Sequence, residues 1–123
     1  MRGVTPRKKV VEKHILGFSR GDRPSVLATV TDDVEYRIAT EGKRARGKAE
    51  YEQFIGIPPE MELRVDITRL TEEGDVVIAE GVGKLTQKGS GATTVEFCDI
   101  FEFEGERVKR LISFRGPWVA VSQ

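Results

Sequence analysis

The chain has 123 residues, a length typical of one domain that can bury a hydrophobic core. Its 20 basic and 20 acidic residues give a formal net charge of zero, and the two signs are interleaved. No basic face is therefore expected for nucleic acid or for an anionic membrane surface. No apolar run approaches the roughly 20 residues of a membrane span, and a single cysteine, Cys98, leaves no internal disulfide. These totals predict a soluble, cytoplasmic protein without nucleic-acid or membrane partners.

Capping and turn residues place three helices and one strand in the first half of the chain. Thr5 can cap the first helix, and Pro6 suits its first helical position. Asp22 can cap a second, shorter helix. The predicted elements are helices at residues 6–21, 22–31 and 48–55, a strand at residues 34–39, and a loop at residues 41–43.

The second half changes to the alternating pattern of half-buried strands. Met61, Leu63 and Val65 alternate with charged residues, as on a strand with one face towards a core. Gly-containing turns then separate strands at residues 76–86, 93–103 and 108–115. Helices followed by hairpins predict an α+β fold with an antiparallel sheet. One domain over residues 1–123 is expected, with a tail at residues 116–123 held, if at all, by Trp118.

Asp99 interrupts an otherwise apolar strand face that also carries Val95, Phe97, Phe101 and Phe103. A buried carboxylate loses hydration at a cost of several kcal/mol, so it must be hydrogen-bonded, paired or protonated. One interpretation is a structural aspartate satisfied by backbone amides or an arginine. The other is a functional carboxyl at the base of a pocket.

His14 interrupts the apolar stripe of the first helix in the same way, between Val11 and Ile15. A lone histidine on an apolar face is more often a satisfied core residue than a catalytic one. The functional interpretation requires that His14 and Asp99 face one cavity.

Two further features bear on an enclosed space. If Gly105 forms the last turn, Asp99 lies roughly opposite Ile112, with Phe114 two residues on. Gly81 and Gly83 share one strand face and leave almost no side chain there. The glycines indicate either room for a ligand or curvature of the sheet alone.

The sequence lacks the residues that several kinds of metal or catalytic site require. One histidine and one cysteine cannot supply a zinc site, and no acidic cluster has calcium-loop spacing. Cys98 lies on the strand face opposite Asp99, with no second histidine to activate it. We expect no metal and no cofactor.

In the order and spacing of these pieces, residues 7–114 resemble the nuclear transport factor 2-like superfamily, and within it the SnoaL-like and ketosteroid isomerase-like small enzymes. The landmarks are Gly21-Asp22 after the first helix, Asp32-Asp33 before the strand, and Cys98-Asp99-Ile100-Phe101 before the final hairpin. The resemblance implies a cone-shaped curved antiparallel sheet with the N-terminal helices on its concave face, a cystatin-like α+β barrel around a hydrophobic pocket.

Carried over by position, Asp99 matches the pocket aspartate that ketosteroid isomerases keep protonated to bind a substrate oxygen. His14 stands where those enzymes carry a partner tyrosine, and Ile38 stands at the position of their catalytic base. Of the residues that limonene-type epoxide hydrolases use, Tyr36 matches their tyrosine. Ile38, Gly81 and Gly83 replace most of the remaining set, and Ser113 falls near the last aspartate.

The resemblance leaves three hypotheses. The first is a small enzyme of the isomerase, cyclase or dehydratase (lyase) kind, acting without a cofactor on an apolar carbonyl compound. Asp99 and His14 would be its acid–base or oxyanion-binding pair, with Tyr36 as an auxiliary hydrogen bonder. The expected pocket walls are Ile38, Phe54, Gly81, Gly83, Phe97, Phe101, Ile112, Phe114 and Trp118.

The second hypothesis is a non-catalytic binding module for an apolar small molecule. A further alternative is a relative of the limonene-type epoxide hydrolases that lacks most of their catalytic residues. The third is an interaction protein whose cavity is filled by its own side chains. Under all three, the half-apolar outer sheet face could pair two subunits in a homodimer.

Overall fold

The computed structural model describes residues 5–121, so the last two residues of the predicted tail lie outside the described residues. Three helices and seven strands make up this part of the chain. The helices are α1 (Pro6–Arg20), α2 (Arg23–Leu27) and α3 (Gly47–Glu52), and the strands are β1 (Val30–Ile38), β2 (Lys43–Arg46), β3 (Met61–Glu73), β4 (Val76–Gln87), β5 (Gly91–Glu104), β6 (Arg107–Arg115) and β7 (Val119–Ala120).

The predicted caps form and fix where the first two helices begin. The Thr5 side chain accepts a hydrogen bond from the Lys8 N–H, and the Asp22 side chain accepts one from the Ser25 N–H. Gly21, with φ at 67°, ends α1 in the left-handed conformation that favours glycine. The second helix is shorter than predicted because β1 already begins at Val30.

The strands form one curved, unclosed sheet in the order β2-β1-β6-β5-β4-β3, with β7 added to β5. The α+β prediction is therefore confirmed. Two details were predicted wrongly. Lys43, expected in a loop, begins the short edge strand β2, and β1 pairs with β6 in parallel although every pair was expected to be antiparallel.

A bulge in the β5–β6 hairpin sets which side chains of β6 face inward. Phe103 pairs with Val108, but the next pair is Glu102 with Arg110, so Lys109 has no partner across the ladder. Asp99 consequently pairs with Ser113 and not with Ile112, as a regular ladder would require. One extra residue moves every later side chain of β6 to the opposite face.

The core lies between the sheet and the helices. Val34, Val77, Phe101 and Val108 are fully buried in it. The helix α1 lies against β3 and β4, while α3 lies against β1. Among residues 5–121, no helix is long and apolar enough to cross a membrane.

Candidate functional site

A cavity of about 100 Å³ lies on the inner face of the sheet, beyond the packed core. Its polar lining residues are His14, Tyr36, Tyr51, Asp99, Ser113 and Arg115, and its other lining residues are Ile15, Phe18, Leu63, Val65, Gly83, Val95, Phe97, Leu111 and Trp118. The structure thus brings His14 and Asp99 to one cavity. Trp118, 40% exposed, borders it on the solvent side.

Trp118 is held there by the way the chain returns to the sheet. After Arg115 pairs with Phe97, the chain leaves the ladder at Gly116 and rejoins β5 at Val119, which pairs with Thr94. Trp118 lies in this short excursion, directly before β7. The tail is therefore anchored by strand pairing, with Trp118 at the cavity.

Asp99 is half-buried, and only one of its two oxygens is held by the protein. The Ser113 hydroxyl donates a hydrogen bond of 2.6 Å to Oδ1. Among residues 5–121, the structure gives Oδ2 no hydrogen-bond partner. Burial raises the pKa of Asp99 from 3.8 to about 6, although the Ser113 hydrogen bond and the charge of Arg115 act in the opposite direction. At neutral pH the carboxyl is mostly ionised but still easily protonated.

His14 is fully inside the protein, and both of its ring nitrogens have partners. Nδ1 lies 2.8 Å from the Thr29 hydroxyl oxygen, and Nε2 lies 2.6 Å from the Tyr51 hydroxyl oxygen. The Thr29 hydroxyl itself donates to the Val26 carbonyl at 2.6 Å. Its only proton is therefore used, and it can only accept from His14. This assigns the proton to Nδ1 and makes Nε2 an acceptor.

Tyr51 consequently points its own proton at His14. Burial keeps the imidazole neutral, with its pKa lowered from 6.5 to about 3. Burial, together with the nearby Tyr36 and Asp99, raises the pKa of Tyr51 well above its ordinary value. Tyr51 therefore stays a neutral phenol. His14 does not pair with Asp99, because its ring nitrogens bond Thr29 and Tyr51 instead.

Tyr36 lines the cavity together with Arg115. Burial raises the pKa of Tyr36, while the positive charge of Arg115 acts in the opposite direction. The charge of Arg115 is offset by Glu41, whose Oε2 lies 3.3 Å from Nε without hydrogen-bond geometry.

Six of the predicted site residues border the cavity. They are His14, Tyr36, Gly83, Phe97, Asp99 and Trp118. The remaining six lie elsewhere. Ile38 and Phe101 are buried in the packed core, and Phe54 packs against the ring of Tyr36.

The other three residues, Gly81, Ile112 and Phe114, were predicted to line the pocket and do not. A Cβ on Gly81 would lie 2.7 Å from Cζ of Phe97, so the phenyl ring already fills the space that the glycine leaves. Ile112 pairs with Ile100 and Phe114 with Cys98, both on the outer face of the sheet, because the bulge at Lys109 reverses the faces of β6.

Nine cavity residues were not predicted as site residues, and three of them, Tyr51, Ser113 and Arg115, are polar. Tyr51 lies on α3, and its hydroxyl contact to His14 depends on how α3 packs. Leu111, Ser113 and Arg115 are alternate residues of β6, so the sequence places them on one strand face. That face points towards the cavity only because the bulge shifts the register by one residue.

A second groove, of about 450 Å³, lies on the outer face of the sheet. Its lining is mostly charged and includes Arg37, Arg44, Arg46 and Arg110 beside Glu35 and Glu50. It is larger than the inner cavity, but neither Asp99 nor His14 lines it. We therefore place the candidate site at the inner cavity.

Comparison with solved structures supports the fold. An epoxide hydrolase of the limonene epoxide hydrolase-like kind from Mycobacterium tuberculosis is 20% identical with a TM-score of 0.77, over 90% of this chain and 83% of that one. A candidate ketosteroid isomerase from Kribbella flavida is 22% identical with a TM-score of 0.70, over 96% and 81% of the two chains. A candidate SnoaL-like polyketide cyclase from Shewanella denitrificans is 13% identical with a TM-score of 0.77, over 89% and 90%.

No curated protein matches the chain in sequence. The family model described as SnoaL-like domain matches residues 11–111, which include most of α1, all strands up to β5 and the first half of β6. The cone-like sheet, the helices against its inner face and this match together show that the chain belongs to the SnoaL-like domain family.

Proposed function

We propose that this protein is a small enzyme that binds a compact carbonyl compound in the inner cavity and transfers protons on it, with Asp99 as the acid–base group. The observation that carries the proposal is the half-partnered carboxyl. Oδ1 is fixed by Ser113, while Oδ2 is free among the described residues, and the pKa lies at about 6. A catalytic pKa near the working pH favours proton transfer in both directions.

In the proposed reaction, ionised Asp99 removes a proton from the carbon next to the carbonyl. The electron pair of that C–H bond forms a carbon–carbon double bond, and the carbonyl oxygen takes the negative charge. The Tyr36 hydroxyl can donate to this oxygen, and Arg115 in the same cavity lining adds a positive charge. Asp99 then returns the proton to the same or a neighbouring carbon, which gives exchange or isomerisation without any cofactor.

The size of the cavity limits the substrate. A cavity of 150 Å³ in another protein holds one benzene molecule, so about 100 Å³ corresponds to roughly four to six non-hydrogen atoms. A steroid is far too large for this conformation. The proposed substrates are therefore small ketones or aldehydes.

Exchange of α-protons with deuterium oxide tests the proposal, with 2-butanone as substrate and NMR as the readout. Wild type should accelerate exchange above buffer, and Asp99→Asn should reduce the acceleration at least 100-fold. Asp33→Asn, an exposed carboxylate on β1, is the matched control and should exchange like wild type. Exchange that is equally fast in Asp99→Asn would contradict the assignment.

A second candidate function is binding without chemistry. It is favoured by Ile38, which stands at the position of the isomerases' base and is buried away from the cavity. In that case a ketone would bind and perturb the cavity resonances, but no Asp99-dependent exchange would follow.

We also propose a cytoplasmic homodimer that forms through the outer sheet face. Ile78, Ile100 and Ile112 are adjacent there across three strands, and Phe114 is 38% exposed beside them. An apolar row of this kind between charged residues suits a self-complementary contact. Light scattering of the full chain distinguishes the dimer from the monomer.

A further inference from the structure

Four arginines line the outer groove, and two of them already have acidic partners. Arg46 lies 3.4 Å from a carboxylate oxygen of Glu35, and Arg110 lies 3.2 Å from one of Glu102. The charges of these two arginines are therefore offset within the protein. The lining as a whole still has more basic than acidic side chains, since only Glu35 and Glu50 stand among the four arginines.

The other two arginines, Arg37 and Arg44, lie directly opposite each other on β1 and β2. Residues paired in this way point to the same face of the sheet, with Cβ atoms about 5 Å apart. Among residues 5–121, neither guanidinium has a carboxylate within ion-pair distance. Two like charges in this arrangement repel each other and weaken the strand pair. An anion between them would remove that repulsion.

The surroundings of Arg37 make its charge the less hydrated of the two. Arg37 is half-buried, and its Nε is shielded from solvent without a hydrogen-bond partner among the described residues. Its neighbour on β6 is Ile112, so no acidic side chain offsets the charge from that side. A partly desolvated cation attracts an anion more strongly than a fully exposed one, because less water screens it.

The groove has room for more than a simple anion. A cavity of 150 Å³ in another protein holds one benzene molecule, so about 450 Å³ corresponds to roughly 15 to 20 non-hydrogen atoms. A phosphate ion has only five. The groove lies at the β2 edge of the sheet, beside the isoleucine row of the proposed dimer contact and not on it.

We propose that Arg37 and Arg44 bind the phosphate group of a small phosphate monoester, whose organic part lies in the rest of the outer groove. Two guanidinium groups match the double negative charge, and their planar forks fit phosphate oxygens. Because Nε of Arg37 is shielded, the terminal N–H groups of the two arginines hold the phosphate. Neither Asp99 nor His14 lines this groove, so the inference is independent of the proton-transfer function.

Titration of the full-length chain with glycerol 3-phosphate tests the inference, at pH 7.5 and constant ionic strength. The readout is NMR of the backbone amides of residues 35–37 and 43–46, which should shift and saturate in wild type. Arg37→Gln and Arg44→Gln should each weaken binding at least about ten-fold, because each removes half of the positive charge and one fork.

Arg64→Gln is the matched control. Arg64 is exposed on β3, at the opposite edge of the sheet, and its replacement removes the same charge. This variant should bind like wild type. Equal weakening in Arg64→Gln and Arg37→Gln would show attraction to the net charge alone and overturn the proposal. The absence of saturable shifts in wild type would overturn it as well.

Two further probes define the ligand. Acetate carries a single charge and should bind at least about five-fold more weakly than glycerol 3-phosphate. Inorganic phosphate should also bind more weakly, because it leaves most of the groove unfilled. Acetate that binds as tightly as the ester would reject recognition of a double charge, and tighter binding of inorganic phosphate would reject the ester.

Discussion

His14 and Asp99 each interrupt an apolar face of the same molecule, yet the fold treats them in opposite ways. His14 is 2% exposed and has protein partners on both ring nitrogens. Asp99 has a partner on one oxygen and none among the described residues on the other. Burial of a polar group is therefore not itself evidence of function. What distinguishes a reactive group is the hydrogen-bonding capacity that the protein leaves unfilled.

The largest effect on stability is expected for replacement of His14, whose two ring nitrogens both have hydrogen-bond partners. His14→Leu keeps a similar volume but leaves the buried Tyr51 hydroxyl without its acceptor and Thr29 without its donor. We expect a loss of about 3 kcal/mol in the free energy of unfolding, from the combined cost of unsatisfied groups and imperfect packing. Urea denaturation at pH 7.5 measures it. A loss below about 1 kcal/mol would show that His14 is not a structural centre.

The second prediction uses pH, because the two groups shift stability in opposite directions. His14 has a folded pKa below its ordinary value, so its contribution is present above pH 6.5 and is lost as pH falls towards about 3. Asp99 has a folded pKa above its ordinary value. Its contribution is present below pH 3.8 and is lost as pH rises through about 6.

Between pH 4 and 6 the two slopes therefore oppose each other. Asp99→Asn should remove the decrease in the free energy of unfolding that Asp99 causes as pH rises. This decrease is at most roughly 3 kcal/mol between pH 4 and 6. The variant should then exceed wild type in stability by about 1 to 2 kcal/mol at pH 7.5. Thermal or urea unfolding at several pH values checks this. Parallel curves for the two proteins would contradict the buried-carboxyl assignment.

The smallest expected effect concerns the hydroxyl that holds Asp99. Ser113→Ala removes the hydrogen bond to Oδ1, which favours the ionised carboxyl, so the pKa of Asp99 should rise further above about 6. The stability loss at pH 7.5 should be about 1 kcal/mol. Carbon-13 NMR of the Asp99 carboxyl follows the titration directly. A pKa that stays the same or falls would mean that Ser113 does not bond the carboxylate.

Much of the fold could be predicted because its signals are local. Thr5, Asp22 and Gly21 mark helix ends by their own side chains or backbone freedom, and the strand boundaries follow turn residues. The strand β2 and the parallel pairing of β1 with β6 gave no such signal. Both depend on which distant segments meet at a sheet edge, and Lys43 alone has no preference for an edge strand over a loop.

The site shows the same division between local and non-local information. Asp99 and His14 stand out by breaking a pattern on their own elements. Ile112 and Phe114 were expected opposite Asp99 because a regular ladder from Gly105 places them there. The bulge at Lys109 changes that pairing, and an exposed lysine in a strand does not by itself predict a bulge. Gly81 was open to two interpretations, and the ring of Phe97 decided between them.

The bulge at Lys109 also has a consequence for how such a site can change over evolutionary time. Deleting this one residue would restore a regular ladder and turn Ser113 and Arg115 outward. Ile112 and Phe114 would then face the cavity in their place. A cavity with Ser113 and Arg115 in its wall and a cavity with Ile112 and Phe114 there are thus separated by a single codon, without any substitution at these residues.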